Sequence, residues 1–255
     1  MKQDTVWKDQ TLVKNYLTGV RGAIPMANEQ IDVMLRVSRT LRPDGVINFI
    51  DLGCGDGVLA DQILQAYPNA HGTLIDFSAG MLSAAEERMA DFANQLQVIE
   101  LDYGDPKWVE AVGDQTFDLI VSGFSIHHQP DGRKRAIYQE IFNLLRPGGL
   151  FLNSEHVKSA SPIVETMHDQ LFVDSMIGYE RAIGSGKSVE QIKRDYYDRL
   201  DKEANILLDV QTQVQWLKEI GFDHADIYFK IFELSVFGGM KGKQVGKMQD
   251  ADAVE

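Results

Sequence analysis

Asp51, Gly53, Gly55 and Gly57 fall within the segment Asp51-Leu-Gly-Cys-Gly-Asp-Gly57, directly after the apolar run Val46-Ile-Asn-Phe-Ile50. Glycines have no Cβ, so such a loop turns tightly and lets a ligand lie on the backbone itself, as a nucleoside cofactor does. A dinucleotide loop of the type G-x-G-x-x-G would need glycine at position 58, where this chain has Val58, so NAD and FAD are disfavoured. Asp51 just ahead of the glycines suits a cationic group, such as the amino end of a methionine moiety, better than an anionic pyrophosphate. The second chemical signal is the pair His127-His128. Imidazole titrates near neutral pH and can take a proton from an oxygen or nitrogen acceptor, which makes either histidine a candidate base, with capping or structural roles as the alternative. Cys54 could be an activated thiol at a helix start, but a small side chain tolerated in a tight loop is the simpler reading. No zinc site is expected, because there is one cysteine and adjacent histidines suit joint ligation of one ion poorly.

These residues need strand ends to hold them. The run Ile47-Asn-Phe-Ile50 reads as a buried strand of a parallel sheet. His71-Gly-Thr-Leu-Ile-Asp76-Phe77 reads as a second, with Asp76 at its tip, where doubly wound folds place an acid on ribose hydroxyls. Leu96 to Tyr103 brings Asp102 to the same edge, and Thr116 to Gly123 leads through Ser122 to the histidines. Strands alternating with helical stretches over residues 46–156 predict right-handed βαβ units. Residues 157–208 break that repeat and read as two helices, one opened by Ser161-Pro162 and one running from Ser188 to about Leu208. A last helix ending at Gly221 precedes two β-like runs, and the tail 240–255 is polar, aperiodic and expected to be mobile. Gly184-Ser-Gly-Lys-Ser188 imitates the end of a phosphate loop, but Arg181 stands where its first glycine should be.

The Asp-x-Gly-x-Gly-x-Gly pattern, with the strand ends that follow it in order, resembles the class I S-adenosylmethionine-dependent methyltransferases over residues 46–156. The resemblance implies an α/β fold with a doubly wound, seven-stranded, mostly parallel Rossmann-like sheet. It also implies an N-terminal helical lid over residues 1–45, a methyltransferase domain over 46–239 and a helical substrate cover after the fifth strand, at 157–208. It implies S-adenosyl-L-methionine as cofactor, held by Asp51, Gly53, Cys54, Gly55, Asp76, Phe77, Tyr103 and Ser122, with Asp102 on the adenine amino group and Arg21 on the methionine carboxylate. Asp76 is expected to serve the ribose without serving the fold. Tyr16, Tyr179, Tyr196 and Arg199 are the implied acceptor-side residues. A second resemblance runs through Ser154-Glu-His156, the helical insert and Trp216 to His224, which are similar to the carboxy-S-adenosylmethionine synthases. Arg199 lies near the arginine with which that family holds a carboxylate. The chain departs from that family in having Gly-Cys-Gly-Asp-Gly for its Gly-Cys-Ser-Leu-Gly and His127-His128 for its Leu-Gln.

With 25 Lys and Arg against 38 Asp and Glu, the net charge is −13, which disfavours nucleic acid and favours a small-molecule acceptor. The run Arg133-Lys-Arg135 reads as a solvated helix face. No apolar stretch approaches the length needed to span a bilayer, and a cytoplasmic protein, able to form a homodimer, is expected. Methyl transfer to a small molecule is the main expectation. Carboxyl transfer to the cofactor and a non-catalytic binding role stand beside it.

Overall fold

The structure, a computed structural model, describes residues 20–199, 202 and 204–243. Its centre is a seven-stranded sheet in the order β3-β2-β1-β4-β5-β7-β6. The strands are β1 (Asn48–Leu52), β2 (His71–Asp76), β3 (Leu96–Glu100), β4 (Phe117–Gly123), β5 (Leu145–His156), β6 (Phe222–Ile231) and β7 (Leu234–Lys241). β1 to β5 pair in parallel, and β7 runs antiparallel to both β5 and β6. The strand order reverses between β1, which pairs with β2, and β4, which starts the other half of the sheet. A doubly wound sheet opens a crevice there, at the carboxyl ends of its strands.

Helices cover both faces. They are α1 (Ala27–Leu41), α2 (Val58–Ala66), α3 (Ala79–Arg88), α4 (Trp108–Ala111), α5 (Asp131–Leu144) and α8 (Val210–Ile220), with α6 (Pro162–Ala182) and α7 (Val189–Tyr197) forming the insert. Phe49, Leu74, Leu119 and Leu150 pack with α1, α2 and α3 on one face, while Ile50, Ile75, Ile120 and Phe151 pack with α5 and α8 on the other. Successive residues on each strand thus serve opposite cores, which is why the strands read as continuous apolar runs. Ser78 caps α3 by accepting from the Met81 amide, as its position predicts. The second insert helix ends at Tyr197, well before Leu208.

At the amino ends of β1 and β4, buried Asp118 accepts from the amides of Ile47 and Asn48 at 2.8 and 3.0 Å and pairs with Arg42 and Arg146. A buried carboxylate is tolerable when so many donors surround it. This clamp fixes the two central strands at the end away from the crevice.

The expected solvated face on α5 is corrected. Lys134 is fully buried, with its ammonium on the Asp131 carboxylate and the Ile206 carbonyl, and Arg133 reaches Glu140 and the Tyr103 carbonyl. Lys134 thus ties α5 to the loop that follows the insert and Arg133 ties it to the loop after β3, while Arg135 stays exposed, as expected, and pairs with Glu219 on α8. Among the described residues, no helix is long and apolar enough to cross a membrane.

Candidate functional site

Two connected cavities lie at the carboxyl edge of the sheet and share Ile24, Gly53, Gly55, Gly123 and Phe124. The first continues past Asp76, Phe77 and Ser125 to His127, His128, His156, His168, Arg199 and Asn205. The second passes Asp51, Cys54, Asp56 and Ser154 under the start of α1.

The glycine loop is shaped as its sequence requires. Gly53, Gly55 and Gly57 all take positive φ, at 69°, 52° and 74°. A Cβ on Gly53 would sit 1.9 Å from Ser125 Oγ, whereas one on Gly55 meets nothing within 4 Å. The Gly55 backbone therefore faces open space in the cavity, which is the condition for a ligand to lie against it. Asp76 accepts from the amides of Gly55 and Ser78, both at 2.9 Å. Burial raises its pKa, opposed by those bonds. The expectation that Asp76 serves only a ribose is corrected to this extent: it also laces the loop. Asp76→Asn would turn an NH2 group toward one of those amides. It is expected to weaken cofactor binding by about 1–2 kcal/mol and to lower the ligand-free melting temperature as well, as calorimetry and thermal melts would read. An unchanged melt with full cofactor affinity would remove Asp76 from both roles.

Asp51 is almost fully buried, accepts from the Ala60 amide at 3.1 Å and borders the second cavity. Cys54 is buried beside Asp51 and Asp76, and burial, then those carboxylates, push its thiol pKa well up. It is a neutral thiol, not an activated nucleophile.

The structure does not bring every expected residue to the cavities. Asp102 turns back on its own loop and accepts from the Gly104 amide at 2.7 Å, outside the lining of either cavity. Tyr103 is buried behind the glycine loop with its hydroxyl 2.5 Å from Ser125 Oγ. Ser122 points into the sheet and donates to the Leu52 carbonyl at 2.7 Å. Tyr179 stacks under the turn Val20–Ala23, close against Gly22. Tyr196 is buried and donates to Asp169 at 2.6 Å. These are supports, not cavity walls. Arg199 does line the first cavity, its guanidinium 4.8 Å from the Tyr196 ring centroid and 5.5 Å from that of Phe172. The backbone of Arg21 falls in the turn Val20–Ala23, its side chain is outside what is described, and Tyr16 lies outside the described residues, as does the expected tail from 244 onward; the expected start of that tail is corrected, since Met240 and Lys241 complete β7.

Directly after β4, Phe124 takes φ 50°, an uncommon conformation for a side chain of that size. The turn Ile126–His128 follows and carries both histidines to the cavity. His127 Nδ1 lies 2.5 Å from Glu155 Oε1, both side chains buried. Glu155 also accepts from the amides of His127 and His156 at 3.1 and 2.9 Å and from Asn153 at 3.3 Å. Burial lowers the His127 pKa far below its ordinary value, aided by His156 and Lys134, and pushes Glu155 up to about 7. The ring is therefore neutral. The Asn205 side chain, on the same cavity, also hydrogen-bonds this ring and opposes the lowering of its pKa. With Nδ1 committed to Glu155, Nε2 is the nitrogen left to exchange a proton. His128 Nδ1 donates to the Ala204 carbonyl at 3.4 Å.

Sequence reasoning missed a neighbouring cluster. His156 at the end of β5, His168 on α6 and Glu233 in the β6–β7 turn converge, with one donor atom from each within 4.8 Å of the others. The signal available was a polar run, Asn153-Ser-Glu-His156, buried at the end of an otherwise apolar strand. The reading that no metal site exists weighed only Cys54 and the adjacent histidines, and this cluster lies outside both.

Residues 49–149 match the family model described as a methyltransferase domain. The carboxy-S-adenosyl-L-methionine synthase of Aeromonas salmonicida is 24% identical over 238 residues, covering 91% of this chain and 88% of that protein. The demethylmenaquinone methyltransferase of Leptospira interrogans is 28% identical over 198 residues, covering 77% and 73%. An O-methyltransferase family protein from Burkholderia thailandensis superimposes with TM-score 0.57 at 15% identity, covering 83% of this chain and 56% of that one. The chain thus spans little more than half the length of that solved relative, and the likeness is one of fold.

Proposed function

We propose that this chain, a member of the S-adenosylmethionine-dependent methyltransferases, transfers a methyl group to an oxygen or nitrogen of a small molecule carrying an anionic group. The observation that carries this reading is the buried His127–Glu155 pair opening on the same cavity as Gly53, Gly55 and Asp76. The residues present fit the cofactor. Gly55 offers bare backbone to the cavity, Asp76 and Phe77 border it on the β2 side, and Asp51 supplies a buried carboxylate on the other. Asp76 and Phe77 would hold the nucleoside end and Asp51 the amino end. When bound, the cofactor supplies an electrophilic methyl group on a sulfonium.

The chain's own part is to hold an acceptor lone pair in line and keep water out. Glu155 fixes the His127 ring with Nδ1–H toward itself. Nε2 then takes the proton that the acceptor loses as its bond to carbon forms. Arg199, held over two aromatic rings, offers a cation to an acceptor carboxylate or similar group. Phe172, Leu234 and Ile24 give the cavity apolar walls.

A second reading, carboxyl transfer to the cofactor, is favoured by that same arginine and by the relatives that carry the name carboxy-S-adenosylmethionine synthase. In that case Arg199 would face a carboxylate on the cofactor. Calorimetry should show binding of S-adenosylmethionine and S-adenosylhomocysteine but not of NAD. NAD binding with no response to the other two would overturn the cofactor assignment. Mass measurement of the nucleoside that co-purifies separates the ordinary from the carboxylated cofactor.

A further inference from the structure

We propose that His156, His168 and Glu233 form a binding site for a first-row divalent transition metal ion at the acceptor end of the cavity. Three elements distant in sequence bring them together: the carboxyl end of β5, the insert helix α6 and the turn between β6 and β7. His156 Nε2 is 2.6 Å and His168 Nε2 3.6 Å from the same atom, Glu233 Oε2. His168 and Glu233 are almost fully buried, and both histidines line the cavity.

The chemistry of the donor set selects the ion. Two imidazoles and one carboxylate are a face of three ligands that suits Fe2+, Zn2+ and their neighbours, and leaves further positions for an exogenous ligand. With metal bonds of about 2.1 Å, neighbouring donors in such a site stand about 3–3.5 Å apart. The His168–Glu233 separation, 3.6 Å, lies just above this range. The shorter His156–Glu233 contact is a hydrogen bond that an ion would replace.

Two further observations point the same way. Ser159 Oγ donates to Glu233 Oε1, the oxygen not shared with the histidines, and so orients the carboxylate as outer partners of metal ligands do. Among the described residues, the buried Nδ1 of His168 has no hydrogen-bond partner and its Nε2 stands 3.6 Å from Glu233 Oε2, longer than a hydrogen bond, so hydrogen bonding does not account for this buried ring. Because both histidines border the cavity that holds Arg199, the open positions of the ion face the acceptor. An acceptor hydroxyl ligated there would release its proton more readily.

The site is independent of the base and acceptor assigned above, since metal uptake is read without turnover. The full-length protein, stripped with a chelator, would be titrated calorimetrically with Zn2+ and with Co2+, whose visible absorption reports ligation. One ion per chain is expected. Glu233→Gln and His168→Ala should each weaken binding by at least about tenfold, while Cys54→Ser and His71→Ala leave it unchanged. Glu233→Gln nearly preserves the side chain's volume and can keep its Ser159 contact. Should either variant fail to fold, proton NMR of the Co2+-loaded wild type replaces it, and shifted N–H signals from two imidazoles are expected. Absence of uptake, wild-type affinity in both variants, or a Co2+ form without two shifted imidazoles would reduce the cluster to hydrogen bonds and overturn the site.

Discussion

Replacing His127 by asparagine should lower kcat by about 10²–10⁴-fold, the usual contribution of a positioned base, while cofactor affinity stays within about twofold. Asparagine keeps a polar group beside Glu155 but cannot accept and hold the acceptor's proton. Glu155→Gln tests the same device from its other end. It replaces an oxygen that now accepts from His127 Nδ1 by an amide that can donate there, so the ring is driven toward the wrong tautomer and Nε2 loses its lone pair to a proton. Its expected loss in kcat is about a hundredfold or more by analogy with other histidine–carboxylate pairs. His128→Asn, by contrast, should cost little, because His128 Nδ1 reaches the Ala204 carbonyl, whereas the Glu155 carboxylate is hydrogen-bonded to the His127 ring at 2.5 Å. Single-turnover rates with saturating cofactor would measure all three. A His127→Asn variant that retains more than about half the wild-type rate would remove the base from the mechanism and leave positioning alone. The reverse ranking, with His128 dominant, would move the base by one residue.

What the sequence discloses and what it hides follows from how far apart the partners are. The glycine loop, the strand ends at Asp51 and Asp76 and the cap at Ser78 are local signals, each carried by residues within a few positions of one another, and the sheet confirms them. Ser122 and Tyr103 sit at the right strand ends, yet the pleat turns Ser122 into the sheet and the loop turns Tyr103 behind the glycines. Placement along a chain gives the edge but not the face. The His127–Glu155 pair spans 28 residues and the His156–Glu233 contact 77. No periodicity connects such positions, and only the packing of β5 beside β4 and β7 does. Lys134 misleads for the same reason. On its own helix it reads as solvated, but the loop after the insert covers it with the Ile206 carbonyl.

Arg199 decides between the two chemistries because a guanidinium has opposite effects on the two cofactors. Beside a methyl sulfonium it is one cation near another and contributes nothing favourable, whereas beside a carboxylate it forms a charge-assisted pair. Its place over Tyr196 and Phe172 is fixed by those rings, so Arg199→Leu removes the charge while an apolar group refills the space against them. If the anionic group belongs to the acceptor, the variant should bind S-adenosylmethionine as the wild type does and raise KM for the acceptor by about ten- to a hundredfold, the worth of a hydrogen-bonded charge pair. If instead the carboxylate belongs to the cofactor, native mass spectrometry of the wild type should show carboxylated cofactor, lost in the variant. The first pattern is expected. It follows from His127: a buried neutral imidazole with its proton-accepting nitrogen on the cavity is useful to a hydroxyl or amine losing its proton, and that chemistry takes place on the acceptor.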